Sequence, residues 1–114
     1  MRAATYPKAA RLRRRPDFLA IQRDGQRRHT SHLVVIRRAT LGPGSRLGVT
    51  VSKRIGNAVV RNRVKRLLRE VFRLRRTDIR PPVDVVIIAK PGAETLSYAQ
   101  AATEFARGLD LNVD

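Results

Sequence analysis

Cationic side chains recur between residues 53 and 76 at a spacing suited to binding phosphate. At about 100° per residue, a helix over most of this stretch has one apolar side and one basic side. The basic side carries Asn62, Lys65, Arg66, Arg69, Arg73 and Arg76, with Arg61 and Arg63 beyond its two edges. The apolar stripe consists of Val60, Val64, Leu67, Val71 and Leu74, with Leu68 beside it. Exposed helices normally carry acids four residues from such cations. Only Glu70 is available here, so the pattern favours a polyanion-binding face over an ordinary solvated one.

The residues just before this helix predict an anion site. Asn57 is a good N-cap, and Gly56 lets the backbone turn into the helix. The free N–H groups and the positive end of the helix would lie beside Lys53 and Arg54. Gly56 and Asn57 are therefore expected to combine capping with anion binding.

Side chains that could catalyse a reaction are few. The chain has two histidines, nine acidic residues and no cysteine. His29 and His32 are three apart, and in a strand such positions point to opposite faces, so the two cannot share a metal and are expected at the surface. The acids form no paired-carboxylate motif, and no phosphate-binding glycine loop is present. We expect no catalytic residue and no metal ligand in this polypeptide.

Length and charge narrow the class of protein. The chain has 114 residues, with 25 Lys or Arg against 9 Asp or Glu, and a formal net charge of +16. Twenty-one of the cations are arginine, whose forked guanidinium suits phosphate, and such an excess indicates a polyanionic partner. The length predicts one domain over residues 1–114. No apolar stretch approaches the roughly 20 residues of a membrane span, so no membrane association is expected. The absence of cysteine is compatible with a reducing cytoplasm.

The charge is unevenly distributed along the chain. Residues 1–28 and 53–80 hold most of the cations, whereas residues 91–114 hold only Arg107 against four acids. Residues 1–14 are basic and poorly patterned, and they are expected to form a flexible leader. The C-terminal part is expected to serve as a scaffold.

The chain is predicted to form an α+β sandwich of one sheet with helices, in the order α-β-β-β-α-β-α. Gly25, Leu41–Ser45, Arg80–Pro82 and Pro91-Gly92 mark turns or breaks between elements. The predicted elements are a helix from Arg15 to Gly25, strands over 27–30, His32–Arg37 and Arg46–Ser52, a helix over Ala58–Arg75, a strand over Val83–Ala89 and a helix over Ser97–Leu109. The strand Val83–Ala89 is expected to be buried on both faces.

The strand Arg46–Ser52 has two unlike faces. The face expected in the core carries Leu47, Val49 and Val51. The opposite face is small and polar and carries Gly48, Thr50 and Ser52. It is either an ordinary solvated face or one that another molecule can approach closely. Three aromatic residues are assigned to packing: Phe72, Tyr98 and Phe105. For Phe18 the default is also the core, and Tyr6 is left without an assignment.

The segment from Ser52 to Glu70 resembles the signature of the protein subunit of bacterial ribonuclease P. Its centre is Arg61-Asn62-Arg63, followed by Lys65-Arg66 and then by Arg69 on the next turns. The similarity extends upstream to Arg15-Pro16-Asp17-Phe18 and Gly25, and downstream to Asp84–Ala89 and Lys90-Pro91. It covers nearly the whole chain in one register, and it is far more specific than a bare Arg-Asn-Arg tripeptide.

The resemblance implies a ribonucleoprotein that removes the 5′ leader of precursor tRNA, with RNA as the catalyst and Mg²⁺ needed for the RNA reaction. It implies that the basic helix and the loop before it bind the catalytic RNA. With the cations of that loop and face included, the RNA-binding candidates are Lys53, Arg54, Arg61, Asn62, Arg63, Lys65, Arg66, Arg69 and Arg73. The single-stranded leader would lie in a cleft between the first helix and the sheet, lined by Phe18, Gln22, Val34, Ile36, Thr50 and Ser52. No cofactor on the polypeptide and no protein partner are expected.

The resemblance also implies a left-handed crossover between parallel strands that flank the long helix, where general rules predict a right-handed one. Gln22 and Ile36 stand where the family often has aromatic residues. With 4% aromatic residues in the chain, base stacking in the cleft is expected to be weaker than the roughly 1–3 kcal/mol per base of stacking platforms.

The composition and the basic helix leave two alternative functions. Composition alone fits a structural RNA-binding protein of ribosomal type equally well, and only the motif favours ribonuclease P. A double-stranded DNA binder would need a partner subunit or a helix-turn-helix arrangement, which the predicted sheet does not offer.

Overall fold

The computed structural model describes residues 8–40 and 42–112, in which helices pack on both faces of a four-stranded sheet. The helices are α1 (Arg15–Asp24), α2 (Ala58–Arg75) and α3 (Tyr98–Gly108). The strands are β1 (Gln26–His29), β2 (Leu33–Ala39), β3 (Arg46–Thr50) and β4 (Val83–Ala89), and short 3-10 turns cover Lys8–Ala10, Arg76–Asp78 and Ala93–Thr95. The predicted α+β class and element order are confirmed.

The limits of α2 and β4 are those predicted, and the other limits differ by a few residues. β2 begins one residue later than predicted and extends to Ala39, and β3 ends at Thr50 rather than Ser52. α3 begins after Ser97, whose hydroxyl accepts a hydrogen bond from the Gln100 N–H at 3.1 Å. Leu41, part of a predicted turn, lies outside the described residues.

The sheet has the strand order β1-β2-β4-β3. β1 and β4 each pair with β2 in antiparallel fashion, and β3 pairs with β4 in parallel. α2 connects these two parallel strands, so the basic helix is the crossover. β4 has a neighbour on each side, and the side chains of Val85, Val86 and Ile87 are fully buried, which confirms the prediction that this strand is buried on both faces.

Alternating strand residues build two hydrophobic clusters, one on each face of the sheet. The larger cluster lies under α2 and α3 and includes Val35, Val85 and Ile87. Phe72 and Phe105 meet edge to face in it, with ring centroids 6.4 Å apart, as their assignment to packing predicted. The smaller cluster lies under α1 and consists of Leu12, Ile21, Val34, Ile36 and Val86, with Phe18 and Ile88 packed against it. The basic helix and α1 therefore lie on opposite faces of the sheet.

Residues 8–14 pack against the edge of the sheet beside β3, which corrects the expectation of a flexible leader for this part of the chain. The Leu12 N–H donates to the Leu47 carbonyl at 2.9 Å, and Arg11 forms a parallel bridge with Leu47. Ala10 and Leu12 are buried, one in each cluster. Burial of these two apolar side chains holds the segment against the sheet. The sequence did not predict this, because arginines surround both residues. Residues 1–7, including Tyr6, lie outside the described part of the chain.

The buried stripe of α2 is displaced from the predicted one. Its fully buried members are Val64, Leu68, Val71 and Phe72, with Val60 and Leu67 partly buried. Leu74, predicted in the stripe, is 47% exposed. The helix packs against α3 as well as against β3, so its buried face is turned and widened relative to a stripe that faces one flat surface.

The two faces of β3 differ as predicted, and Gly48 on the small, polar face also has a packing role. Leu47 and Val51 are buried on the side of α2, and Val49 is partly buried there. On the other side, Gly48 lies directly under the Phe18 ring, because a Cβ at Gly48 would lie 2.5 Å from Phe18 Cζ. The small residue is thus needed for the packing of α1.

Candidate nucleic-acid interface

The outer face of α2 collects most of the predicted RNA-binding side chains on one surface. Asn62, Arg63, Arg66 and Arg69 are exposed, and Arg61, Lys65 and Arg73 are partly exposed. The period of the helix places them together because positions three and four apart lie on one side. The predicted basic face is therefore present as a continuous exposed surface.

Glu70 does not neutralise this face. Its carboxylate accepts a hydrogen bond from Arg73 Nε at 2.9 Å, and this hydrogen bond lowers the pKa of Glu70 and raises the pKa of Arg73. Within the described residues, Lys65, Arg66 and Arg69 have no acidic partner. Three adjacent cations are therefore left available for an external anion.

The cations at the margins of α2 are held by the protein itself. Arg63 donates to the carbonyl oxygen of Glu94, and Arg76 donates to the carbonyl oxygen of Ser45 at 3.0 Å. Arg75 pairs with Asp78 at 2.6 Å. Arg61 Nε is buried and has no hydrogen-bond partner in the described part of the chain. Lys65, Arg66 and Arg69 along the middle of the outer face thus have no acidic partner among the described residues, and no acid there neutralises Arg61 or Arg63 at its edges.

The N-terminus of α2 has the predicted cap. Asn57 Oδ1 accepts a hydrogen bond from the Val60 N–H at 3.0 Å. The reason for Gly56 differs from the expected one: a Cβ there would lie 2.8 Å from Val60 Cγ1, so the close approach of Val60 requires glycine. Lys53 and Arg54 are exposed in the turn before the cap. They add two cations beside the positive end of the helix.

The predicted cleft residues fall into two groups on the face that carries α1. Phe18, Gln22 and Thr50 are partly exposed and Ser52 is exposed, whereas Val34 is 8% exposed. Ile36 has no exposed surface because it packs beneath α1 in the smaller cluster. Ile36 therefore does not line an open cleft in this structure, and that prediction is corrected.

Ile88 belongs to this face and was missed by the sequence reasoning. It is partly exposed and packs against the same cluster as Phe18. The signal was available, because Ile88 is next to Ile87 in a strand and must point to the opposite face. The prediction that β4 is buried on both faces holds for its central residues, but not for Ile88 near its end.

His32 is partly exposed and also contacts Glu104, a contact that the sequence did not predict. Its Nδ1 lies 2.6 Å from Glu104 Oε2, and its backbone N–H donates to Glu104 Oε1 at 2.7 Å. Thr30 Oγ1 donates to the same Oε1 at 2.6 Å. Thr30, His32 and Glu104 thus join the β1–β2 turn to α3, whereas His29 is exposed as predicted.

Residues 8–40 and 42–112 contain no group of three His, Asp or Glu side chains placed to hold a metal ion. None of their helices is long and apolar enough to cross a membrane.

An α+β sandwich that presents an uncompensated basic helix defines a nucleic-acid-binding protein. The ribonuclease P family model matches residues 6–111, and the chain belongs to this family. It is a subunit of ribonuclease P, the RNA-based endoribonuclease of tRNA processing, as the motif predicted.

Relatives and solved structures agree over most of the chain. The ribonuclease P protein component of Geobacter sp. (strain M21) is 44% identical over 106 residues, which cover 93% of this chain and 90% of the relative. The ribonuclease P protein component of Desulfovibrio desulfuricans is 45% identical over 108 residues, or 91% and 83% of the two chains. The ribonuclease P protein structure from Staphylococcus aureus superimposes with a TM-score of 0.80 at 32% identity, covering 90% of this chain and 94% of that one. The structure from Thermotoga maritima has a TM-score of 0.78 at 31% identity, covering 87% and 94%.

Proposed function

We propose that the outer face of α2 and the turn before it bind the RNA subunit of ribonuclease P through its phosphates. The observation that carries this proposal is that five cations of this face and turn have no acidic partner among the described residues: Lys53, Arg54, Lys65, Arg66 and Arg69. Each cation that meets a phosphate releases a condensed counterion, which favours binding. Asn62, Arg61, Arg63 and Arg73 lie beside them and complete the surface.

The RNA supplies the catalyst in this proposal, and the polypeptide supplies no catalytic residue and no metal ligand. Its cations lower the electrostatic repulsion between the RNA subunit and the substrate, so less Mg²⁺ is needed to offset that repulsion. The chain acts as one domain over residues 1–114 and needs no protein partner. Because tRNA processing in bacteria takes place in the cytoplasm, we place the protein there.

The cleft beside α1 is proposed to hold the 5′ leader of precursor tRNA. Phe18, Gln22, Thr50 and Ser52 offer it one aromatic ring and three polar side chains, with Ile88 beside the ring. The surface lies on the opposite face of the sheet from α2, so one domain can contact the RNA subunit and the substrate at once.

The leader contact can be tested with substrates that differ only in the leader. The complete ribonucleoprotein is expected to bind precursor tRNA more tightly than the same tRNA without its leader. Phe18→Leu should reduce that difference, by less than about tenfold because the ring packs against the smaller cluster and only part of it is exposed to a base. Leu19→Ala changes the neighbouring exposed residue of the same helix and is the control. An undiminished difference in Phe18→Leu would place the leader elsewhere.

Phosphate contacts from α2 can be tested by salt dependence. Arg66→Ala and Arg69→Ala are each expected to weaken binding of the RNA subunit and to flatten the plot of log K against log salt by about one unit. Arg107→Ala removes the same charge from exposed α3 and should leave the slope unchanged. A slope that does not change in the two α2 variants would show that these side chains do not contact phosphate.

A further inference from the structure

A shallow pocket of about 310 Å³ lies between α2 and α3 and is lined by Arg63, Arg66, Leu67, Glu70 and Tyr98. Leu67 forms its apolar part, since this side chain is partly buried against the larger core cluster. Tyr98 was assigned to the core from its sequence, yet its side chain stands at the first residue of α3 and is 41% exposed. An aromatic ring and an aliphatic side chain thus form an open apolar site beside the basic face.

The charge around this pocket is positive. Arg66 has no acidic partner among the described residues, and Arg63 is bonded to a carbonyl oxygen that carries no net charge. Glu70 is held by Arg73 at 2.9 Å, so the carboxylate at this site is already paired. The pocket therefore combines an apolar interior with a rim that attracts an anion.

We propose that this pocket takes one unstacked base of the RNA subunit. The base lies against the Tyr98 ring and Leu67, and the phosphate next to it lies against Arg66. Its volume is at the lower end of ligand-site sizes, which suits a single base, and the positive rim favours a nucleotide over an uncharged apolar ligand. Aromatic rings stack on any base, so the site selects an unpaired nucleotide rather than a sequence. This inference rests on the proposed binding of the RNA subunit by α2.

Tyr98 variants test the ring directly. Tyr98→Leu is expected to weaken binding of the RNA subunit alone by roughly 5- to 30-fold, and Tyr98→Phe, which keeps the ring, should stay within about twofold of the unchanged protein. The slope of log K against log salt should remain the same in both, because no phosphate contact is removed. Leu19→Ala is the control, since Leu19 is 49% exposed on α1, across the sheet from the pocket.

Three results would overturn the assignment of a base to this pocket. The first is tight binding by Tyr98→Leu, and the second is an equal loss in Tyr98→Phe and Tyr98→Leu, which would point to the hydroxyl instead of the ring. The third is self-association of the RNA-free protein that Tyr98→Leu abolishes in sedimentation velocity, which would assign the pocket to a second copy of the chain. Phosphate binding by the α2 face is tested separately, by the salt slopes of Arg66→Ala and Arg69→Ala. Failure of that proposal can therefore be distinguished from failure of base binding in the pocket.

Discussion

Adding the protein to the RNA subunit of ribonuclease P is expected to lower the Mg²⁺ concentration for half-maximal cleavage of precursor tRNA, on the order of tenfold at fixed monovalent salt. An RNA alone must gather cations to offset the repulsion between its own phosphates and those of the substrate. The protein brings five cations without acidic partners in the described part of the chain, at Lys53, Arg54, Lys65, Arg66 and Arg69. Because these side chains lie together on one surface, they replace mobile cations beside the RNA phosphates. Fewer Mg²⁺ ions are then needed to offset the same negative charge.

The measurement is a Mg²⁺ titration of 5′ cleavage with RNA alone and with RNA plus protein. The doubly substituted Arg66→Ala/Arg69→Ala protein should shift the midpoint part of the way back towards that of RNA alone. Arg107→Ala has lost one charge from an exposed position in the last turn of α3, outside the α2 face, and should behave as the unchanged protein. Identical Mg²⁺ dependence with and without protein would contradict the proposed role, whatever the binding affinity.

The sequence was sufficient to predict the basic helix and the strand at the centre of the sheet. α2 has a clear helical period over 18 residues and a strong N-cap at Asn57, and β4 is a run of β-branched residues between breakers. In both elements the local signals agree with the tertiary packing, so their limits could be predicted. The α2 cations could be placed on one face for the same reason.

What could not be predicted depends on which distant segments meet. Leu74 and Tyr98 were assigned to the core because periodicity cannot tell how α2 and α3 cross. The resemblance implied that Ile36 lines a cleft, and the sequence does not show how closely α1 covers the sheet. Leu12 was placed in a leader because it is a single apolar residue among four nearby arginines, and the sequence does not show that it packs in the smaller cluster.

The contact between Glu104 and the β1–β2 turn also joins segments that are distant in the sequence. Its removal is expected to cause the largest loss of stability. Glu104 is 7% exposed, and its carboxylate accepts hydrogen bonds from Thr30 Oγ1 and the His32 N–H at 2.6 and 2.7 Å. Glu104→Ala would leave these donors without their partner, and the free energy of unfolding should fall by about 2–4 kcal/mol. Thermal or urea unfolding measures this, with Glu94→Ala on the partly exposed turn before α3 as the control.

The pH dependence gives Glu104 a second, independent test. Burial by itself would raise the pKa of Glu104, but hydrogen bonds from Thr30 and His32 outweigh it and lower the pKa below its ordinary value of 4.5. A carboxyl group whose pKa is lower in the folded than in the unfolded state stabilises the folded protein at pH values above its unfolded-state pKa. This stabilisation is lost as the pH falls through the folded-state pKa. Glu104→Gln cannot ionise, so its free energy of unfolding should change less than that of the unchanged protein between about pH 6 and pH 3. Other carboxylates are common to both proteins, so their contributions cancel in the difference. Parallel pH profiles would mean that ionisation of Glu104 does not hold α3 on the sheet.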